Sequence, residues 1–467
     1  MSKQETINIE KIEKNFSEIH PAMNKAEALF EANRCLYCYD APCTSACPTH
    51  IDVPAFIKKI ASGNLIGSAR VIFDANPIGA SCARVCPVDV LCEGACVERT
   101  LMEKPIEIGR LQRHATDYAL KSARMIFKAG ESNGKSVGVV GSGPAGLSCA
   151  TYLARLGYDV TVYDKKSLAG GLDTYGMAEY KMTQADSIEE ANFVEKLGVK
   201  FQLNTEIITK TEDQRPKTEN QITFEELEQK HDAIFLAVGL GATQRLKIDG
   251  EDANGVYDAL DFIEKIKTRD WANVPLGRTV AVIGAGNTAI DAVTQAKRLG
   301  AERVMMIYRR TENEMPAYEY EYEIAKKDAI EFHWLTAPTE IITDENNNVT
   351  ALRCVKMELT EPDEKGRRSV TSIEDSTFDI PCDMVIKALG QSKMTELLSR
   401  VKGLELDTSG RVAVNKETMQ TTNTKYFAGG DCVNGGAEAV DASQHGKLAA
   451  QGIHLALTNE HVKFAGT

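Results

Sequence analysis

The chain has 467 residues, 43% hydrophobic and 26% charged, which is enough for full cores in two or three domains and unlike a disordered protein. A formal net charge of −13 argues against a nucleic-acid or anionic-membrane surface, since both need a basic patch that displaces counterions. The charged start MSKQETINIEKIEKNFSEIH has no apolar signal core, and no apolar run nears the roughly 18–20 residues that span a bilayer, so a soluble cytoplasmic protein is expected.

The first region, residues 1–130, reads as α-helical. AMNKAEALFEAN, DVPAFIKKIASG and NLIGSARVIFDAN place apolar residues three and four apart. Between and after them fall eight of the twelve cysteines. Cys35, Cys38, Cys43 and Cys47 are spaced x2, x4, x3 and closed by Pro48; Cys82, Cys86, Cys92 and Cys96 are spaced x3, x5, x3. In a reducing compartment such a cluster points to metal rather than disulfide. The other four, Cys149, Cys354, Cys382 and Cys432, stand singly and read as small buried hydrophobes. The polar KAGESNGKS is a linker to the next region.

SVGVVGSGPAGLSCATYLARLGYDVTVYD then reads as strand, tight turn, helix and strand. Gly141, Gly143 and Gly146, with Pro144 and Ala145 between them, let backbone N–H groups approach a pyrophosphate at a helix N-terminus. Asp164, ending the second strand, is placed to accept hydrogen bonds from ribose hydroxyls. The same order recurs in RTVAVIGAGNTAIDAVTQAKRLGAERVMMIYRR, with Gly284, Gly286, Asn287, Thr288 and Ala289 in the turn. Its strand ends in Arg309 and Arg310 instead of an acid, which suits a 2′-phosphate and favours NADP(H) over NAD(H). Glu312 and Glu314 would oppose that anion if they faced inward.

DAIFLAVGLG and DMVIKALGQ read as a matched pair of late buried strands, and KYFAGGDCVNGGAEAVDASQHGKLAAQGIHLAL as a return to the first nucleotide domain. Gly430 and Asp431 precede a helix expected near Ala437, whose positive end would face an anion such as a reduced flavin ring. FAD is therefore expected in the split domain, with Gly171 and Leu172 beside it, and the nicotinamide cofactor in the insert. The expected boundaries are 131–265 and 386–467 for the two parts of the FAD domain and 266–385 for the NAD(P) domain. No C-x-x-C follows residue 96, so electrons must leave the flavin by another route than a disulfide. Four thiolates would also suit structural zinc, in which case the first region is a zinc-stapled interaction domain. Eight thiols beside a flavin fit two 4Fe-4S clusters better, because these carry single electrons away from a two-electron carrier. By spacing alone Cys82 would be the eighth ligand.

Together the cysteine region, GSGPAG, GAGNTA and the GGD tail resemble the FAD/NAD(P)-binding iron–sulfur module shared by dihydropyrimidine dehydrogenases, the glutamate synthase small subunit and ferredoxin:NADP reductase complexes. The resemblance covers nearly the whole chain. It implies an α/β fold with an N-terminal helical iron–sulfur domain and two Rossmann-like domains, one inserted in the other. It also implies Cys35, Cys38, Cys43 and Cys96 on one cluster, and Cys47, Cys86 and Cys92 on the second. The eighth ligand is Glu in the glutamate synthases and Gln in the dihydropyrimidine dehydrogenases. IEIGRLQRHATDY puts Gln112 there, with Cys82 left over. RCLYCYDAPC, CARVCP and IGRLQR resemble the electron-entry subunit of bacterial dihydropyrimidine dehydrogenases, implying an FMN-containing partner that reduces uracil or thymine in a hetero-oligomer. In the single-chain mammalian relatives a third basic residue stands where this chain has Pro316, which leaves the choice between NADPH and NADH open. The hydride step needs no side-chain acid or base, so no catalytic residue is assigned, and His114 reads as packing.

Overall fold

The computed structural model describes residues 9–122, 124–208, 218, 220–362 and 368–466. Two compact units emerge. One comprises His20–Thr174, Lys181–Gly241 and Lys393–Thr467; the other comprises the chain up to Ile19, Tyr175–Tyr180 and Ala242–Ser392. Among the described residues no helix is long and apolar enough to cross a membrane.

The first unit begins with the cysteine-bearing helices. Asn24 accepts from the N–H groups of Ala26 and Glu27, while Glu27 returns a bond to the Asn24 N–H, so a capping box starts Lys25–Arg34. Asp52 caps Val53–Ala61, whose Phe56, Ile57 and Ile60 are buried. Leu65–Ala75, Gly79–Val85 and Ile108–Lys121 follow. They share a core built from residues such as Phe73, Ile78, Leu111 and Ala115. A five-stranded parallel sheet comes next, in the order Tyr426–Ala428, Ala233–Leu236, Ser136–Val140, Asp159–Tyr163 and Lys200–Gln202. The runs VGVV and AIFL are buried on both faces, as strands covered by helices must be. The chain returns from far downstream to add Tyr426–Ala428, so the domain is split as expected. The last helix packs along Pro144–Arg155, with Ser148 Oγ donating to the Ser443 carbonyl at 2.7 Å. That helix starts at Ala439, two residues past the expected Ala437, where Glu438 and Asp441 form a capping box after two left-handed glycines, Gly435 and Gly436.

The second unit carries a parallel sheet in the order Glu331–His333, Arg303–Ile307, Thr279–Ile283, Met384–Lys387 and Val256–Asp258. An antiparallel sheet of Thr336–Thr343, Val349–Pro362, Arg368–Ser372 and Phe378–Pro381 is appended to it. This unit starts upstream of residue 266, because Val256–Asp258 hydrogen-bonds to Met384–Lys387. Helix Ile9–Asn15 also groups here and not with the cysteine region. Phe16 lies tilted against Trp271 with ring centroids 5.1 Å apart, and Asn15 Nδ2 donates to the Arg298 carbonyl at 2.8 Å.

Candidate functional site

The turn after Ser136–Val140 is shaped by glycine sterics. Gly141 has φ +103°, and a Cβ there would lie 2.2 Å from the Ala237 carbonyl oxygen. A Cβ on Gly146 would lie 2.0 Å from the Gly141 carbonyl oxygen, so helix and strand close only around glycine. Gly143 caps the helix that Pro144 and Ala145 begin. Gly171 comes so near that its Cβ would stand 2.7 Å from the Gly143 Cα, which brings the two expected flavin-lining segments together. Leu172 follows, 36% exposed. Asp164 reaches back into the turn. Its Oδ2 accepts from the Ser142 N–H at 2.8 Å and the Ser142 hydroxyl at 2.6 Å, and its Oδ1 accepts from the Lys166 N–H at 2.9 Å. Ser142 as a partner of the ribose-side acid was missed in the sequence, although GSGPAG shows it.

The tail closes on the same turn. A Cβ on Gly430 would be 3.2 Å from the Ala145 Cβ. The Gly430 N–H donates to His445 Nδ1 at 3.1 Å, and burial holds that imidazole below its usual pKa, in the neutral form this bond requires. Asp431 Oδ1 accepts from the Ala437 N–H at 3.3 Å; burial pushes its carboxyl up, against the N–H bond and the Lys393 ammonium, which pull it down. These groups bring closely approaching glycine backbone and two carboxylates, Asp164 and Asp431, to one helix N-terminus, a set that fits a dinucleotide's phosphates and hydroxyls.

In the second unit the turn is repeated. Gly284 has φ +132°, and a Cβ there would meet the Ala388 carbonyl oxygen at 2.2 Å. Above Gly286 the space is open, with nothing within 4 Å of the point a Cβ would occupy. Asn287 opens the helix and accepts from the Tyr318 N–H at 3.1 Å, Thr288 is exposed and Ala289 is buried. At the strand end Arg309 is exposed and Arg310 half-buried beside Tyr308. The two acids near this position each have a partner of their own. Glu314 Oε2 accepts from the Thr311 N–H at 3.1 Å and from its hydroxyl, and Glu312 pairs with the Tyr322 hydroxyl.

The cysteines sort into two groups. Cys35, Cys38, Cys43 and Cys96 line one cavity, together with apolar residues including Val53, Ile57 and Ile106. Burial pushes the Cys43 thiol up to about 12, with Cys96 and Cys35 adding to the rise. Cys86 is pushed well up by its contact with Cys82, by burial and by Cys47 and Cys92. Thiols raised this far by burial and by one another become thiolates together only when a cation neutralises them, which is the donor chemistry iron–sulfur sites require. Cys96 leaves its sequence neighbours to join Cys35, Cys38 and Cys43.

Gln112 is 7% exposed, and its Nε2 donates to the Gly79 carbonyl at 2.7 Å, at the start of the helix that ends at Cys86. Cys82 is 3% exposed and receives the Asn76 Nδ2 at 3.2 Å. His114 rests on the Met23 carbonyl at 3.1 Å, in keeping with a packing role.

Residues 135–446 match the pyridine nucleotide-disulphide oxidoreductase family, and residues 12–124 match dihydropyrimidine dehydrogenase domain II, 4Fe-4S cluster. The glutamate synthase (NADPH) small chain of Escherichia coli is 35% identical over 96% of this chain and 94% of that protein. The chain belongs to the glutamate synthase small-chain-like pyridine nucleotide-disulphide oxidoreductases. The same chain of Halomonas elongata is 33% identical, covering 94% of this protein and 93% of its relative. Among solved structures, Mycobacterium tuberculosis FprA in complex with NADPH shares the fold at 18% identity, with a TM-score of 0.55 over 70% of this chain and 87% of that one. Thioredoxin reductase of T. acidophilum does so at 22% identity and 0.51, over 68% and 98%. Family membership gives this oxidoreductase its cofactor classes, FAD, NADP(H) and 4Fe-4S, and makes it an electron-transfer component.

Proposed function

We propose that this family member is the electron-entry subunit of a dihydropyrimidine dehydrogenase, holding two 4Fe-4S clusters and working with an FMN-containing partner that reduces uracil or thymine. The observation that carries the reading is Gln112, a buried neutral amide hydrogen-bonded to the Gly79 carbonyl, at the position where the family resemblance implies Gln for dihydropyrimidine dehydrogenases and Glu for glutamate synthases. One cluster is assigned to Cys35, Cys38, Cys43 and Cys96, the other to Cys47, Cys86, Cys92 and Gln112. The chemistry these groups supply when bound is hydride transfer from nicotinamide to flavin and one-electron transfer through iron–sulfur.

The chain's own residues position that chemistry. The Gly141–Gly146 turn, Gly171 and the Gly430–Asp431 corner hold the flavin nucleotide by backbone approach, and Asp164 is kept aimed at the ribose by Ser142. Gly284 to Ala289 receive the nicotinamide dinucleotide. Arg309 and Arg310 favour a 2′-phosphate, since Glu314 is tied to Thr311 and Glu312 to Tyr322. NADPH is therefore the proposed donor.

A second reading, the small subunit of glutamate synthase, is favoured by the 35% identity over nearly the full length of the E. coli chain. Anaerobic purification of the complex from its own cells separates the two. NADPH-dependent uracil reduction by a co-eluting FMN protein is expected. Glutamate formation from glutamine and 2-oxoglutarate, without uracil turnover, would replace the first reading by the second.

A further inference from the structure

Lys447 has 0% of its surface exposed, an unusual place for a lysine. From helix Ala439–Thr458 its Nζ donates to the Thr49 carbonyl at 3.0 Å and the Ala465 carbonyl at 2.9 Å. Thr49, itself fully buried, places its hydroxyl 3.3 Å from Cys47 Sγ. Two carbonyls offset only part of the cost of burying an ammonium away from water. The acidic groups facing it are Cys47 and Asp74, and Asp74 already pairs with Arg155 at 2.6 Å. Burial brings the ammonium down to about 8, with Cys47 and Asp74 pushing back, so it is a cation at neutral pH.

We propose that Lys447 and Thr49 are positioning residues that raise the reduction potential of the cluster held by Cys47. The cluster side of Cys47 is anionic and becomes more so on reduction. A fixed buried cation stabilises the reduced state more than the oxidised one, and a hydroxyl donating to the thiolate sulfur acts in the same direction. The same helix packs on the flavin-side helix Pro144–Arg155, so one element ties the flavin turn to this cluster. The inference rests on the assignment of Cys47 to a cluster.

The test is a redox titration of the purified, reconstituted protein followed by electron paramagnetic resonance, with iron and sulfide determined on each sample. Lys447→Met removes the charge; Lys447→Gln removes it while keeping N–H donors. Both are expected to disfavour reduction of that cluster about tenfold, about 59 mV lower for a one-electron couple. Thr49→Val is expected to move the potential the same way by less, and Thr49→Ser to leave it in place. Unchanged potentials in Lys447→Met or Lys447→Gln overturn the proposal and leave Lys447 a staple for the Thr49 and Ala465 segments. If neither lysine variant retains iron, Thr49→Val decides: a wild-type potential there overturns the proposal, and a lowered one restored by Thr49→Ser supports it. A Cys47→Ala protein with its full iron content would instead defeat the ligand assignment.

Discussion

Replacing Glu190 by glutamine removes a buried carboxyl's charge while keeping its shape. The residue is 1% exposed on helix Gln184–Glu195 and covers the N-terminus of helix Gly79–Val85. Its Oε1 accepts from the Ala80 N–H at 2.8 Å, and its Oε2 meets the Ser81 N–H at 3.3 Å and the Ser81 hydroxyl. These bonds stabilise the charged form, yet burial outweighs them and pushes the carboxyl up to about 8. An unfolded glutamate titrates near 4.5. Between those values the folded chain holds a proton that the unfolded chain has lost, so stability is greatest at low pH and falls as pH rises through the window. The slope is about 1.4 kcal/mol per pH unit. From pH 5.5 to 7.5 the wild type should lose about 2.7 kcal/mol relative to Glu190→Gln, whose amide does not titrate. An unfolding entropy of about 2.1 cal/mol/K per residue, over a unit of roughly 290 residues, gives about 1.6 °C per kcal/mol, so the relative Tm change is about 4 °C. Thermal scans of both proteins at the two pH values cancel every other titrating group in the difference. An equal gap at pH 5.5 and 7.5 would refute the claim that Glu190 is protonated in the fold.

Gly141→Ala, strained by φ +103° and by a 2.2 Å approach to the Ala237 carbonyl, should abolish flavin retention while iron content stays at the wild-type level; normal flavin absorbance would show that this turn does not hold FAD. Arg309→Ala should lower the rate of flavin reduction by NADPH about tenfold or more and leave the NADH rate nearly unchanged, a loss of about 1.4 kcal/mol or more of 2′-phosphate binding. An unchanged ratio in stopped-flow reduction would remove Arg309 from the 2′-phosphate site. Gln112→Ala should cost up to half the iron and Cys82→Ala none, as read by iron and sulfide analysis; the reverse result would make Cys82 the eighth ligand.

What the sequence made legible follows from how local each demand is. The two dinucleotide turns were readable because a steric requirement at Gly141 or Gly284 concerns only the next few residues and one neighbouring strand. The split of the FAD domain was readable for a related reason: matched buried runs, AIFL and MVIK, repeat the order of the two turns. Ligand partition is different. Spacing groups Cys96 with Cys82, Cys86 and Cys92, and only chain reversal sets it in the cavity with Cys35, Cys38 and Cys43. That grouping came from resemblance, as did Gln112, since an amide on an amphipathic helix carries no sign of a metal. The N-terminal helix was misplaced because Ile12 and Phe16 mark an apolar face without saying which core receives it; Trp271 does. Glu190 and Lys447 were invisible for the opposite reason. A charged residue in a helical sequence reads as solvated face, and its burial is decided by elements far along the chain: Ser81 for one, Thr49 and Ala465 for the other. Buried titratable side chains are where a sequence reading of this chain fails first. Nothing in the immediate sequence of either residue distinguishes it from a surface residue.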